Sequence, residues 1–412
     1  MASNASYGSL LSRSRRTCSI ARRLSALAVV LIPVALMFAC GGSDEKNPFQ
    51  VKSEVVTRAD RPIALAFTSD GRLFYVEHQT GNIRVVMQNG TLLPDPFTHV
   101  DVQIGLEWGV TGLAVDPEFE RNHYIYVYYT QAVNPQAPMN EIVARPQVTR
   151  FTEQQNKGVD AKVILGDLPV TDVAHPGLNA NGSIGFGPDG FLYVSMGDYD
   201  SPLFSPQNLS MAQGKLLRVN KEDGSPAPNN PFIGQTDSDP RVFAYGFREP
   251  FDFAFHPRTG KIYGTDNTPV SCEELNIVNS GANYGYPNVG PFPFADCRFG
   301  NHTHGIHFFS KAGTRPEDFL SNTFVSGLAF VSGSNKYPTI GDALLVCESE
   351  AETHDLRRLT LSGVDFDQVS ADDVVVKDCK LDVTTSPDGT IFYSNETEIR
   401  RLVFEPTPVK GD

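Results

Sequence analysis

Six stretches of this chain follow one plan: an apolar run, a turn rich in Pro, Asp and Gly, then alternating aromatic and β-branched residues. They are FTSDGRLFYVEHQTGNIRVV (67–86), VDPEFERNHYIYVYYT (115–130), FGPDGFLYVSMGD (186–198), FHPRTGKIYGTDN (255–267), KYPTIGDALLVCESE (336–350) and TSPDGTIFYSNETEIRRLV (385–403). Asp-Gly between two such runs signals a hairpin, because glycine takes positive φ and lets the strands pair with their natural twist. One hairpin buries too little surface to stand alone. Six four-stranded units set radially bury their faces against one another and leave few open edges. The expected fold is therefore all-β, a six-bladed β-propeller over residues 53–408. The 35 Gly and 29 Pro, spread along the chain, fit many tight turns rather than long helices. Spacing between the copies is irregular, so several blades carry long loops, and such loops gather at one end and build a ligand site.

The first forty residues stand apart. Arg13, Arg15, Arg16, Arg22 and Arg23 precede the apolar run LSALAVVLIPVALMFAC, with no acidic residue before Cys40. A charged head, an apolar middle and a cysteine followed by GGSDEKN read as a lipoprotein-type signal peptide over 1–40, with Cys40 as the lipid-bearing residue and 41–52 as a polar tether. The run is interrupted by Pro33 and short for a membrane span. The body is thus expected outside the cytoplasm, as a periplasmic or outer-membrane lipoprotein that meets membrane only through its lipid. Without the five arginines the formal charge moves from -14 to -19. Such a body repels nucleic acid. Four cysteines remain in an oxidising compartment, Cys272, Cys297, Cys347 and Cys379. They allow three pairings, of which Cys272 with Cys297 and Cys347 with Cys379 close the short loops.

Three consecutive segments go beyond a generic propeller: FGPDGFLYVSMGD, then QGKLLRVNKEDGSPAPNNPF (213–232), then RVFAYGFREPFDFAFHP with EELNIVNSGANYGYPNVG (241–290). In this order they resemble the glucose/sorbosone dehydrogenases, the soluble PQQ-dependent sugar dehydrogenases. VTGLAVDPEFERNHYIYVYYT and VSGLAFVSGSNKYPTIGDALLV extend the resemblance over roughly 58–404. It implies PQQ and a calcium ion at one end of the central channel. It also implies a reaction in which hydride passes from the anomeric carbon of an aldose to the quinone, a histidine takes the hydroxyl proton, and electrons move on to a further acceptor.

Carried over residue by residue, the resemblance gives Arg248 in GFREP as a cofactor-binding arginine, with Glu249 where Asn is usual and Glu107 where Gln is common. The catalytic pair falls on Leu178 and Asn179, neither of which accepts a proton, and His175 on the preceding loop is the substitute base. The carbonyls of Thr268 and Pro269 stand where the quinone-bound calcium rests, and Glu274 with the carbonyl of Tyr284 matches a second calcium site of some relatives. Cys379 and Leu381 replace an Arg-x-Arg pair, with Lys377, Lys380, Arg357 and Arg358 as displaced cations nearby. His302, His304 and His307 form a cluster outside the family pattern, a polar loop or a shared metal set. Two other functions compete with sugar oxidation. One is a catalytically silent propeller that binds a carbohydrate or protein. The other is a calcium-dependent lactonase in which Glu107, Asn179 and Glu249 converge on the ion.

Overall fold

The computed structural model describes residues 51–105, 107–134, 136, 143–169, 178–200, 205–268, 273–287, 300–309, 324–332, 336–349 and 354–404. No described helix is long and apolar enough to cross a membrane. Among the described residues the strands form six four-stranded antiparallel sheets. After β1 (Val51–Arg58), the chain builds a blade from β2 (Pro62–Phe67), β3 (Leu73–Glu77), β4 (Asn82–Val86) and β5 (Thr98–His99). The second comprises β6 (Val110–Val115), β7 (Tyr124–Ala132), β8 (Ala144–Gln154) and β9 (Lys157–Leu165). The third comprises β10 (Ile184–Phe186), β11 (Leu192–Met196), β12 (Lys215–Val219) and β13 (Val242–Tyr245). Next come β14 (Phe253–Phe255), β15 (Ile262–Asp266), β16 (Glu274–Val278) and β17 (His307–Phe308), then β18 (Phe324–Val331), β19 (Ala343–Ser349), β20 (His354–Ser362) and β21 (Gln368–Lys377). The last blade holds β22 (Val383–Thr385), β23 (Ile391–Ser394) and β24 (Glu398–Phe404), and β1 pairs with β24 as its outer strand. The strands from the two ends of the described chain thus lie in one sheet, which closes the ring.

Each repeated turn joins the first strand of a blade to the second, which is why the sequence shows six copies. In these turns an aspartate caps the backbone: Asp189 Oδ1 accepts the Phe191 N–H at 3.2 Å, and Asp388 Oδ1 the Thr390 N–H at 3.1 Å. Gly190 follows Asp189 with φ +79°, a conformation side-chain-bearing residues rarely take.

The apolar core is divided as the ring demands. Six clusters fill the six gaps between neighbouring blades, for example Phe74, Val76 and Val85 against Val110, Ile125 and Val127, or Tyr193 and Leu216 against Phe253 and Ile262. Every blade is therefore held by the apolar faces of two neighbours. The inner strands β2, β6, β10, β14, β18 and β22 line a central cavity of about 370 Å³ that includes the carboxyl-bearing Asp252 and Asp382.

Candidate active site

Strand direction decides which end of the ring gathers polar groups. The residues just before the inner strands and just after the second strands share one end. Glu107 precedes β6, Asn179 and Asn181 precede β10, and Arg248 and Glu249 precede β14, while Asp198 follows β11, and Asp266 closes β15.

There they form one connected network around Arg248. The Asp266 carboxylate accepts the backbone N–H of Arg248 at 3.2 Å and of Glu249 at 2.7 Å. The Asp198 N–H donates to the Arg248 carbonyl at 2.8 Å, so both faces of this short segment are pinned. The Arg248 guanidinium donates through Nη1 to the Asn267 carbonyl at 3.1 Å and lies 3.7 Å from Glu249 Oε2, with 24% of its side chain exposed. Asn181 Nδ2 donates to Glu249 Oε1 at 2.8 Å, and the Ala180 N–H to Glu107 Oε2 at 2.9 Å. Asn179 is buried and donates from Nδ2 to Asp198 Oδ1 at 2.7 Å, so its amide serves as a link within the network.

Among the described residues the electrostatics are those of an acidic site with one cation, Arg248. Burial pushes the Asp198 and Glu107 carboxyls above the ordinary range. Burial, then the charge of Glu107, pushes Glu249 well above it. Burial raises Asp266 to about 7, against the backbone donors that oppose the shift. Burial also opposes the charge on the Arg248 guanidinium, but Glu249, Asp198 and Asp266 outweigh it and hold the group firmly charged.

Next to this network lies a patch of oxygens without donors. Glu274 stands opposite Asp266 in the β15–β16 register. Its Oε1 accepts from Asn276 Nδ2 at 3.0 Å, while Glu274 Oε2, Asn276 Oδ1 and Thr268 Oγ1 are buried with no hydrogen-bond partner. Burial and the charge of Asp266 raise Glu274 to about 8. Orphaned acceptor oxygens beside acids reluctant to ionise are what a hard divalent cation satisfies. Among the described residues no three His, Cys, Asp or Glu side chains group for a metal, so a cation here would lean on amide, hydroxyl and backbone oxygens. Tyr284 is buried against Phe247, their rings stacked at 4.5 Å, and its hydroxyl donates to the Ile277 carbonyl at 2.6 Å. That leaves the Tyr284 side chain as packing.

His175, Pro269, Cys272 and Cys297 lie outside the described residues, as does Cys40. Cys347 and Cys379 are disulfide-bonded, with Cα atoms 5.1 Å apart, which ties β19 to the turn after β21. Leu381 beside it is buried. The displaced cations are engaged elsewhere: Lys377 with Asp355, Lys380 with Glu396, Arg357 with Asp372 and Arg358 with Asp373. The histidine cluster divides. His302 and His304 lie ring to ring at 4.4 Å, and His307 Nε2 reaches Asp372 Oδ2 at 3.1 Å.

Asp198, Asn181 and Asp266 are network members that sequence reasoning passes over. A signal for two of them exists: SMGD and YGTD end the second strands of successive copies with an acid, at the position where a propeller strand reaches the ligand end.

Comparison with known proteins agrees with this architecture. The chain is 26% identical over 373 residues to the aldose sugar dehydrogenase YliI of Escherichia coli K12, covering 86% of this chain and 93% of that one. It is 28% identical over 269 residues to quinoprotein glucose dehydrogenase B of Acinetobacter calcoaceticus, covering 58% of this chain and 53% of the relative. A solved oxidoreductase of Thermus thermophilus, described as a glucose dehydrogenase, superposes with a TM-score of 0.70 at 29% identity, over 86% of this chain and all of that one. The PQQ-bound aldose sugar dehydrogenase of Streptomyces coelicolor shares the fold, with a TM-score of 0.64 at 21% identity over 87% and 99% of the two chains. The family described as Glucose / Sorbosone dehydrogenase matches residues 59–403, and this six-bladed propeller belongs to it.

Proposed function

We propose that the protein is an exported, lipid-tethered sugar dehydrogenase that oxidises an aldose at its anomeric carbon, using PQQ and calcium at the mouth of the propeller. The observation that carries this reading is Arg248, a charged, partly exposed guanidinium fixed at the ligand end of the ring, in a chain that the Glucose / Sorbosone dehydrogenase family matches over residues 59–403.

The residues present fit the group under one condition. PQQ carries three carboxylates, and among the described residues Arg248 is the one cation that faces Glu107, Asp198, Glu249 and Asp266. A bare trianion would be repelled here by several kcal/mol. The donor-free oxygens of Thr268, Glu274 and Asn276 favour a divalent cation in the same place. With that cation bound beside Arg248, the mouth is no longer dominated by negative charge. Calcium would rest on the Thr268 and Pro269 carbonyls, with Glu274 as a neighbouring carboxylate, and Arg248 would hold a carboxylate of the cofactor. When bound, PQQ supplies a two-electron acceptor for hydride. This chain's contribution is to hold the sugar against the mouth, to fix Arg248 through Asp266 and Asp198, and to take up the hydroxyl proton.

The test is reconstitution of the metal-stripped protein with PQQ, with and without calcium, followed by a dye-linked assay over a panel of aldoses. Calcium-dependent dye reduction with at least one aldose is expected. Saccharide binding without turnover, or calcium-dependent hydrolysis of sugar lactones in place of dye reduction, would overturn the proposal.

A further inference from the structure

The stretch NHTHGIHFF sets His302 and His304 two residues apart on the segment that leads into β17. Backbone bonds pin that segment on both sides of His304: the Thr303 N–H donates to the Asn283 carbonyl at 2.8 Å and the Ile306 N–H to the Leu275 carbonyl at 2.8 Å. The half-buried His302 ring is seated on two glycines. A Cβ at Gly285 would stand 2.6 Å from the ring, and one at Gly300 would stand 2.7 Å from Nδ1. Both glycines also have positive φ, +93° and +129°, so only residues without a side chain suit this seat. Exposed His304 lies beside it, with ring centroids 4.4 Å apart and the planes tilted by 58°. His307 takes no part, since its Nε2 reaches Asp372 Oδ2.

Imidazole nitrogen suits borderline ions such as zinc, nickel and copper, whereas calcium takes oxygen. Two nitrogens that share such an ion at about 2.0 Å sit about 3 Å apart. Rings at the observed separation come within that reach when the exposed one turns. Each ring gives one nitrogen to the ion, and the other nitrogen of a metal-bound imidazole normally keeps a protein partner. Among the described residues no set of three His, Cys, Asp or Glu forms here, so water fills the remaining positions. The formal charge of -14 draws cations to the chain.

We propose that His302 and His304 together bind a divalent transition ion of the zinc type, at a site separate from the oxygen patch around Glu274. The two sites are neighbours. A Cβ at Gly305 would stand 2.9 Å from Glu274 Oε2, and Gly285 precedes Tyr286, whose N–H donates to the Gly246 carbonyl at 2.9 Å, two residues before Arg248. The ion therefore sits beside the mouth of the ring and uses none of its acids.

Calorimetric titration of the full chain with zinc, in non-reducing buffer and with calcium in excess, tests this without cofactor or sugar. One zinc per chain is expected. His304→Ala should weaken it by about 10-fold or more, at least what the loss of an outer-shell partner costs. His99→Ala, at an exposed histidine on β5, should leave it unchanged. An unchanged melting temperature of zinc-free His304→Ala would show that the loss is one of ligand and not of fold. Zinc-edge X-ray absorption should show two imidazole nitrogens with oxygen neighbours. Absence of saturable uptake, uptake indifferent to His304→Ala, displacement by calcium, or an all-oxygen shell would each overturn the proposal.

Discussion

Lys215 lies wholly buried at the start of β12, and its ammonium donates to three carbonyl oxygens, those of Ser205 and Pro206 at 2.9 Å and of Gln213 at 2.8 Å. The loop it gathers abuts the site. The Phe247 N–H donates to the Gly214 carbonyl, and Gln207 Nε2 donates to the Tyr286 carbonyl at 2.7 Å. Lys215→Met would orphan these carbonyls and is expected to cost about 3 kcal/mol, read as a lower midpoint in urea with an unchanged slope. At this scale legibility was uneven. Arg248, Glu107 and Glu249 stand out because residue types can be compared one by one with a family pattern. Asp198, Asn181 and Lys215 do not, since a single buried polar residue acquires its role only when distant loops meet, and nothing local marks that meeting.

Among the elements, the inner strands are stapled to one another by acids at their starts. Asp252 Oδ2, before β14, accepts the Leu328 N–H of β18 at 2.9 Å, and Asp382 Oδ2, before β22, accepts the Leu65 N–H of β2 at 2.7 Å. Gly327 makes room for the second staple, because a Cβ there would collide with the Asp382 carboxylate. Burial brings Asp252 to about 6, and burial together with the charge of Asp252 holds Asp382 well above the ordinary range. A carboxyl with a higher pKa folded than unfolded binds its proton more tightly in the native state. Its stabilisation is complete below the unfolded value near 4 and is lost as pH rises through about 6. Asp252→Asn keeps an acceptor for Leu328 and removes the like charge. It should leave stability unchanged near pH 4 and raise it by about 1–2 kcal/mol at about pH 7.5, read as a higher melting temperature there. The disulfide gives a second check at this scale. Replacing Cys347 and Cys379 together by Ala opens a link of sequence separation 32 and should cost about 3 kcal/mol in chemical denaturation. The strands and turns themselves were readable because the pattern repeats six times. The long outer strands β9 and β21, only partly buried and less regular, carry no comparable signal.

For the whole molecule, closure is the decisive property. Register partners run from Val51 opposite Phe404 to Arg58 opposite Glu398, so the last blade is incomplete without the first strand of the ring. Deleting residues 51–58 should broaden or abolish the cooperative unfolding transition, and a sharp transition at the wild-type midpoint would contradict this account of closure. The ring was legible from copy number, since six copies that each need two neighbours close only as a circle. The charge balance of the mouth was not, because it depends on which acids the loops turn inward. That balance is also where the functional account is most exposed. Equilibrium titration of the metal-stripped protein with PQQ, with and without calcium, measures it directly. The account predicts saturable uptake that requires calcium and is lost in Arg248→Met. Absence of uptake at micromolar PQQ with calcium present, or uptake indifferent to Arg248→Met, would contradict it.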